Sequence, residues 1–277
     1  MHIPFINISY RLLILICICG CAAITQSQSI QKIKSYTMPT AKMKVEIWSD
    51  VMCPFCYIGK RKFETALAQM PDSSAIEVTW KSFQLQPDLV TDTTKNTITH
   101  LAESKGWTMD YTRQAIGHVM QMAEGVGLHY NFDKAVVANS FVAHRLSHYA
   151  TAMGKGNEME EELFKAYFVD GMNTADHATL TALAVHIGLD EHAVKAILQS
   201  DKYAIEVRQD IYEASQVGVT GVPFFVFNNK YAVSGAQDSK VFLDVLQKAF
   251  AEWKSANPTT ILEVKEGAIC TPKGECK

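Results

Sequence analysis

The stretch Asp50-Val51-Met52-Cys53-Pro54-Phe55-Cys56 places a Cys-x-x-Cys pair where a strand hands over to a helix. Before it, Lys44-Val45-Glu46-Ile47-Trp48 reads as a short strand, Ser49-Asp50 reads as a turn, and a helix is expected from about Cys53. At a helix start the unpaired N–H groups and the dipole favour a thiolate. Pro54 suits the first turn, having no N–H to lose and a preset φ. Cys56 falls on the same face, within disulfide reach. Cys53 therefore reads as the nucleophile toward a substrate disulfide, and Cys56 as the thiol that resolves the mixed disulfide. Phe55, forced outward between them, is a candidate substrate contact.

Phe63, Ala66, Leu67 and Met70 then recur at helical spacing, and Pro71-Asp72-Ser73 stops the helix. Ile76, Val78 and Trp80 alternate with Glu77, Thr79 and Lys81, which is strand periodicity. From about Asn96 to Gly218 the pattern is helical almost throughout, with faces marked by Ile116 and Val119, by Val142 and Leu146, by Leu180 and Leu183, and by Ala204 and Val207. Asn157-x-x-Glu160 has the form of a capping box. Phe224–Phe227 and Tyr231-Ala232-Val233 flank Asn228-Asn229-Lys230 as a hairpin, and a last helix carries Phe242, Leu246, Ala249, Phe250 and Trp253 on one face. The order is β-α-β, a helical block, then β-β-α. That resembles an α/β thioredoxin fold with an all-helical domain inserted between its halves. The thioredoxin-fold domain is expected over 43–95 and 218–254, the inserted helical domain over 96–217, and a tail over 255–277.

Val219-Thr220-Gly221-Val222-Pro223 precedes the apolar strand Phe224–Phe227. Pro223 resembles the cis-proline that faces the redox pair in thioredoxin folds. That resemblance implies that the Val222 backbone is offered to an extended substrate segment, with Thr220 nearby and Pro223 shielding the thiols. Three stretches, Trp48–Lys60, Asn139–Leu146 and Gly218–Phe225, make the chain similar to the FrnE-like branch of the DsbA family, a resemblance spanning about residues 44 to 254. It implies a DsbA-like fold and disulfide exchange with protein substrates through Cys53, Cys56 and Pro223. The Pro-Phe dipeptide lacks the histidine of DsbA proper, which implies an intermediate potential. The same branch includes glutathione-dependent 2-hydroxychromene-2-carboxylate isomerases, which are similar in the Asn139/His144 region but carry serine where Cys53 stands. An isomerase-type enzyme is the alternative reading; a non-catalytic holdase on the same scaffold is the other.

The flanks read differently. The 277 residues contain seven cysteines in three groups: Cys17, Cys19 and Cys21; Cys53 and Cys56; Cys270 and Cys276. Residues 1–42 read either as a signal or lipoprotein-like segment with a tether, or as the product of a misassigned start. In the first reading Cys21 is a lipidation site and the protein belongs to the cell envelope. In the second, translation from Met38 or Met43 gives a cytoplasmic protein. The Cys270/Cys276 pair is an auxiliary redox shuttle or a local clip. A zinc site built from both close pairs is the rival use of Cys-x-x-Cys, but the Cys270/Cys276 spacing does not match a zinc knuckle. No metal is expected. His144 and His148, four apart on one helix, read as exposed or core-edge rather than as ligands, and Asn139 as a cap of that helix. Trp48, Trp80 and Tyr57 are candidates for a peptide-binding surface, the two tryptophans alternatively for the core.

A formal charge of -3, from 26 basic and 29 acidic residues, supplies no footprint for nucleic acid. The expected partners are protein disulfide or dithiol substrates and a redox partner, with a membrane involved only if the N-terminal segment is a genuine lipoprotein signal. No tightly bound cofactor is expected; glutathione is a candidate redox partner.

Overall fold

The computed structural model describes residues 34–37, 41–258 and 261–264. They fall into two units. In one unit, strand β1 (Lys34–Thr37) pairs antiparallel with the last strand, β8 (Ile261–Val264), from Lys34 opposite Val264 to Thr37 opposite Ile261. The segments read as tether and tail thus each contribute a strand to one ribbon. Cys17, Cys19, Cys21, Cys270 and Cys276 lie outside the described residues, and with them the signal, lipidation and shuttle readings.

The other unit holds the redox motif. Its sheet has the order β3-β2-β6-β7, with β2 (Met43–Ser49) parallel to β3 (Ile76–Ser82) and antiparallel to β6 (Phe224–Phe227), which pairs antiparallel with β7 (Tyr231–Ser234). Val45 and Ile47 of β2 are buried, as are Phe225 and Phe227 of β6. The alternation in β6 turns Phe225 and Phe227 toward Phe63 of helix α1 (Pro54–Leu67), and Phe225 also meets Phe242 of α9 (Ser239–Ala256). The hairpin turns at Asn228 and Asn229, which both take a positive φ, a conformation asparagine tolerates better than most residues. This is the thioredoxin arrangement expected from the element order.

Between the halves lie α2 (Thr97–Lys105), α3 (Met109–Glu124), α4 (Phe141–Ala152), α5 (Gly156–Lys165), α6 (His177–His186), α7 (Glu191–Leu198) and α8 (Ala204–Gln216). A short ribbon of β4 (Asp92–Asn96) with β5 (Val136–Val137) interrupts the helical pattern. Two local expectations are corrected. Helix α1 ends at Leu67 rather than running through Met70, whose side chain is nevertheless buried. Asn157 and Glu160 form no capping box. Helix α5 starts at Gly156 behind Lys155; Asn157 Oδ1 accepts from the buried Trp80 indole at 3.2 Å, and Glu160 turns inward to Ser147. A buried indole N–H needs an acceptor, and that demand outweighs a helix end that water can satisfy. No described helix is long and apolar enough to cross a membrane.

Candidate redox site

Cys53 is the N-cap of α1 and Pro54 its first residue, so the motif sits at the helix start as the sequence indicates. The turn closes through two backbone bonds, Cys53 N–H to Asp50 O at 2.9 Å and Cys56 N–H to Cys53 O at 3.0 Å. Both cysteines are free thiols; Cys53 is only 3 % exposed and Cys56 is fully buried. Phe55 between them is 37 % exposed, as its place in the turn demands.

Across the site, Cys53 Sγ lies 3.4 Å from Val222 O and donates to it, and the Val222–Pro223 bond is cis. Pro223 is buried, whereas Thr220 is exposed. Gly59 eases this approach: a Cβ there would lie 3.0 Å from Pro223 Cγ and 3.4 Å from Phe225 Cζ. With a side chain there, the Pro223 loop would have to give way by a few tenths of an ångström.

Burial pushes the Cys56 thiol well up, and the hydrogen bond and charge of Cys53 push it further, against weaker pulls from the Ser49 hydroxyl and the Asp50 backbone. Two of the three causes that keep Cys56 protonated belong to Cys53. Both would disappear if Cys53 were held in a disulfide, which would leave the Cys56 thiol easier to ionise.

Asp50, fully buried, organises the loop. Its Oδ2 accepts Leu85 N–H at 2.7 Å and its Oδ1 accepts Met52 N–H at 3.4 Å, tying the segment after β3 to the redox turn. His144 Nε2 comes within 3.5 Å of Asp50 Oδ1, an ion contact without hydrogen-bond alignment. Burial opposes the imidazolium of His144, but Asp50 and then Glu160 outweigh it and its pKa is raised. Contrary to expectation, then, His144 is deep in the molecule. His148 goes instead to Asp210, at 2.9 Å. The spacing of four was misleading because α4 packs between two separate carboxylates, one from the redox turn and one from α8.

The helical insertion grips α1 directly. Tyr130 donates to Pro54 O at 2.7 Å, and its ring stacks on Phe168 and faces Tyr57. Glu161 of α5 accepts from Tyr57 Oη at 2.6 Å, from Lys60 at 2.7 Å and from Arg61 through both guanidinium nitrogens, the Nη1 contact being 2.9 Å. Burial alone would raise the Glu161 carboxyl; Arg61, Lys60 and Tyr57 together hold it down at about 2. Trp48 and Trp80 are both buried, and Trp48 Nε1 donates to Asp210 O at 2.9 Å, so neither lines a peptide surface. Asn139 does bond the start of α4, accepting Phe141 N–H at 2.9 Å, though Ser140 is the N-cap. Tyr130 and Glu161 left no trace in the sequence, since their partners lie far away along the chain. Asp50 was visible only as a turn residue.

The model of the DSBA-like thioredoxin domain matches residues 44–247. The uncharacterised protein YwbO of Bacillus subtilis is 30% identical over 207 residues, covering 72% of this chain and 92% of that protein. Among solved structures, a probable DsbA oxidoreductase of Streptomyces coelicolor is 35% identical with a TM-score of 0.71, over 85% of this chain and 98% of that one. A 2-hydroxychromene-2-carboxylate isomerase structure shares the fold at 17% identity and a TM-score of 0.52, over 77% of this chain and 98% of that one.

Proposed function

Because this chain belongs to the DSBA-like thioredoxin-domain family, whose members act on thiol or disulfide substrates, we propose that it exchanges disulfides with polypeptide substrates through Cys53 and Cys56. The observation that carries the reading is the placing of Cys53 at the start of α1, against the Val222 carbonyl and over a buried Cys56.

The Cys53 thiolate attacks one sulfur of the substrate disulfide; the new Cys53–substrate bond forms as the substrate S–S bond breaks, and the departing thiolate takes a proton. Cys56 then loses its proton and attacks the Cys53 sulfur. The Cys53–Cys56 disulfide forms and the second substrate thiol leaves. The substrate gains two electrons and the protein loses two; the reverse sequence oxidises a dithiol. A polypeptide strand laid along Val222 would present its sulfur to Cys53, with Pro223 closing the site behind it, and Phe55 and Thr220 at its rim. The chemistry requires no tightly bound cofactor. Glutathione is the redox partner proposed to return the pair to the dithiol.

The test is insulin disulfide reduction by dithiothreitol, with the full chain and its Cys53→Ser variant. Catalysis by the first that vanishes in the second is expected. Equal rates would refute the proposal.

A further inference from the structure

The loop after β3 is unusually well held for a surface segment. Phe83 N–H bonds Ser49 O at 2.9 Å and Leu85 N–H bonds Asp50, so the loop runs beside the residues that lead into the redox turn. Asn139 then fastens its remainder. Asn139 Nδ2 donates to Pro87 O at 3.2 Å and to Leu89 O at 2.8 Å, its Oδ1 accepts from Gln84 at 3.2 Å, and its backbone N–H bonds Thr91 Oγ1 at 3.0 Å. Yet this fastened loop leaves Leu85 exposed and Val90 81 % exposed. Order without burial costs conformational entropy that no packing returns.

The loop forms one wall of an open cleft of about 560 Å³, whose other walls include Phe141 and Val142 of α4 and Arg208 of α8. The Arg208 guanidinium carbon stands 5.4 Å from the centroid of the Phe141 ring. One guanidinium face is therefore occupied, while among the described residues its N–H edges meet no acceptor and can face a planar one. Among the described residues, no Asp or Glu lines the cleft. It is a partly apolar groove whose one charged lining residue, among the described residues, is Arg208; Asp88 stands exposed in the same loop outside the lining, and the groove starts at Gln84, next to the Leu85–Asp50 bond.

We propose that this cleft binds an acidic residue of the polypeptide substrate, its carboxylate paired with Arg208 and a neighbouring apolar side chain laid against Phe141 and Val142. The inference rests on the disulfide-exchange reading and deepens it: Val222 would hold the strand near its cysteine, and the cleft would read charge farther along the same strand. Selection then falls on disulfides flanked by acidic and apolar residues, because a neutral residue leaves the guanidinium without its partner.

The test uses the full chain and two fluorescent peptides, each with a central Ser in place of Cys. One carries Leu-Glu on both sides and the other Leu-Gln. Anisotropy titrations at low salt are expected to show the acidic peptide binding roughly fivefold tighter, the scale of one well-placed charge-assisted pair. The preference should weaken with added salt, vanish in Arg208→Glu and persist in Arg208→Lys. Equal affinities in the unaltered chain, or a preference that survives Arg208→Glu, would overturn the cleft. Insulin reduction with Cys53→Ser judges the exchange reading separately, since peptides lacking a thiol report binding alone.

Discussion

Replacing Glu161 by Gln tests how far the redox helix depends on the helical insertion. The carboxylate joins α5 to α1 through Tyr57, Lys60 and Arg61, and Lys60 is almost completely buried. Breaking a buried ion pair costs about 3–5 kcal/mol when the remaining charge is stranded. Lys60 keeps Glu64 at 2.6 Å, so the loss here is smaller. Linkage gives an independent figure. A carboxyl held at about 2 instead of 4.5 corresponds to a ceiling of roughly 3 kcal/mol. Glu161 is 28 % exposed, so solvent screening reduces that ceiling to about 2 kcal/mol. The linkage figure, consistent with the bound from the ion pair, places Glu161→Gln about 2 kcal/mol below the parent at pH 7, readable by urea denaturation followed by circular dichroism. The sign of the pH dependence follows from the depressed folded value. The contribution is present above the unfolded value near 4.5 and is lost as the pH falls toward 2. The gap between parent and variant should therefore narrow as the pH falls below that point. A gap under about 0.5 kcal/mol at pH 7, or one that is the same at pH 7 and pH 3, would refute the reasoning.

Two further outcomes are expected. Gly59→Ala puts a methyl 3.0 Å from Pro223 Cγ and should slow insulin reduction about tenfold by displacing the Val222–Pro223 loop, a cost typical of small misplacements at a reacting centre; a rate within twofold of the parent would show that the loop yields freely. His144 has a raised pKa, so its stabilising contribution is fully present below about 6.5 and is lost as the pH rises through the folded value; Glu160, raised by burial, adds a loss in the same direction. Imidazole NMR should find His144 more than half protonated at pH 6.5, and a mostly neutral ring there would remove the His144–Asp50 ion contact from the account.

The order of elements, the place of the Cys-x-x-Cys pair and the hairpin after Pro223 were legible because each rests on short-range chemistry. Alternation marks a strand, a proline suits a first helical turn, and asparagines accept a positive φ. Cys53 and Cys56 needed only their spacing to be paired. What surrounds them was not legible. Asp50 became the anchor of the redox loop only when β3 brought Leu85 beside it, and His144 was misjudged because its carboxylate lies 94 positions away. Asn157 and Glu160 imitate a local cap, but a buried indole and a buried serine claim them. Tyr130 and Glu161 reach α1 across 76 and 104 residues of chain. By itself, the sequence determined which two cysteines meet at a helix start and where the chain turns to present them. Only the tertiary structure decided which distant groups hold those atoms in place, because burial, charge pairing and close approach depend on distances in space that no local pattern encodes.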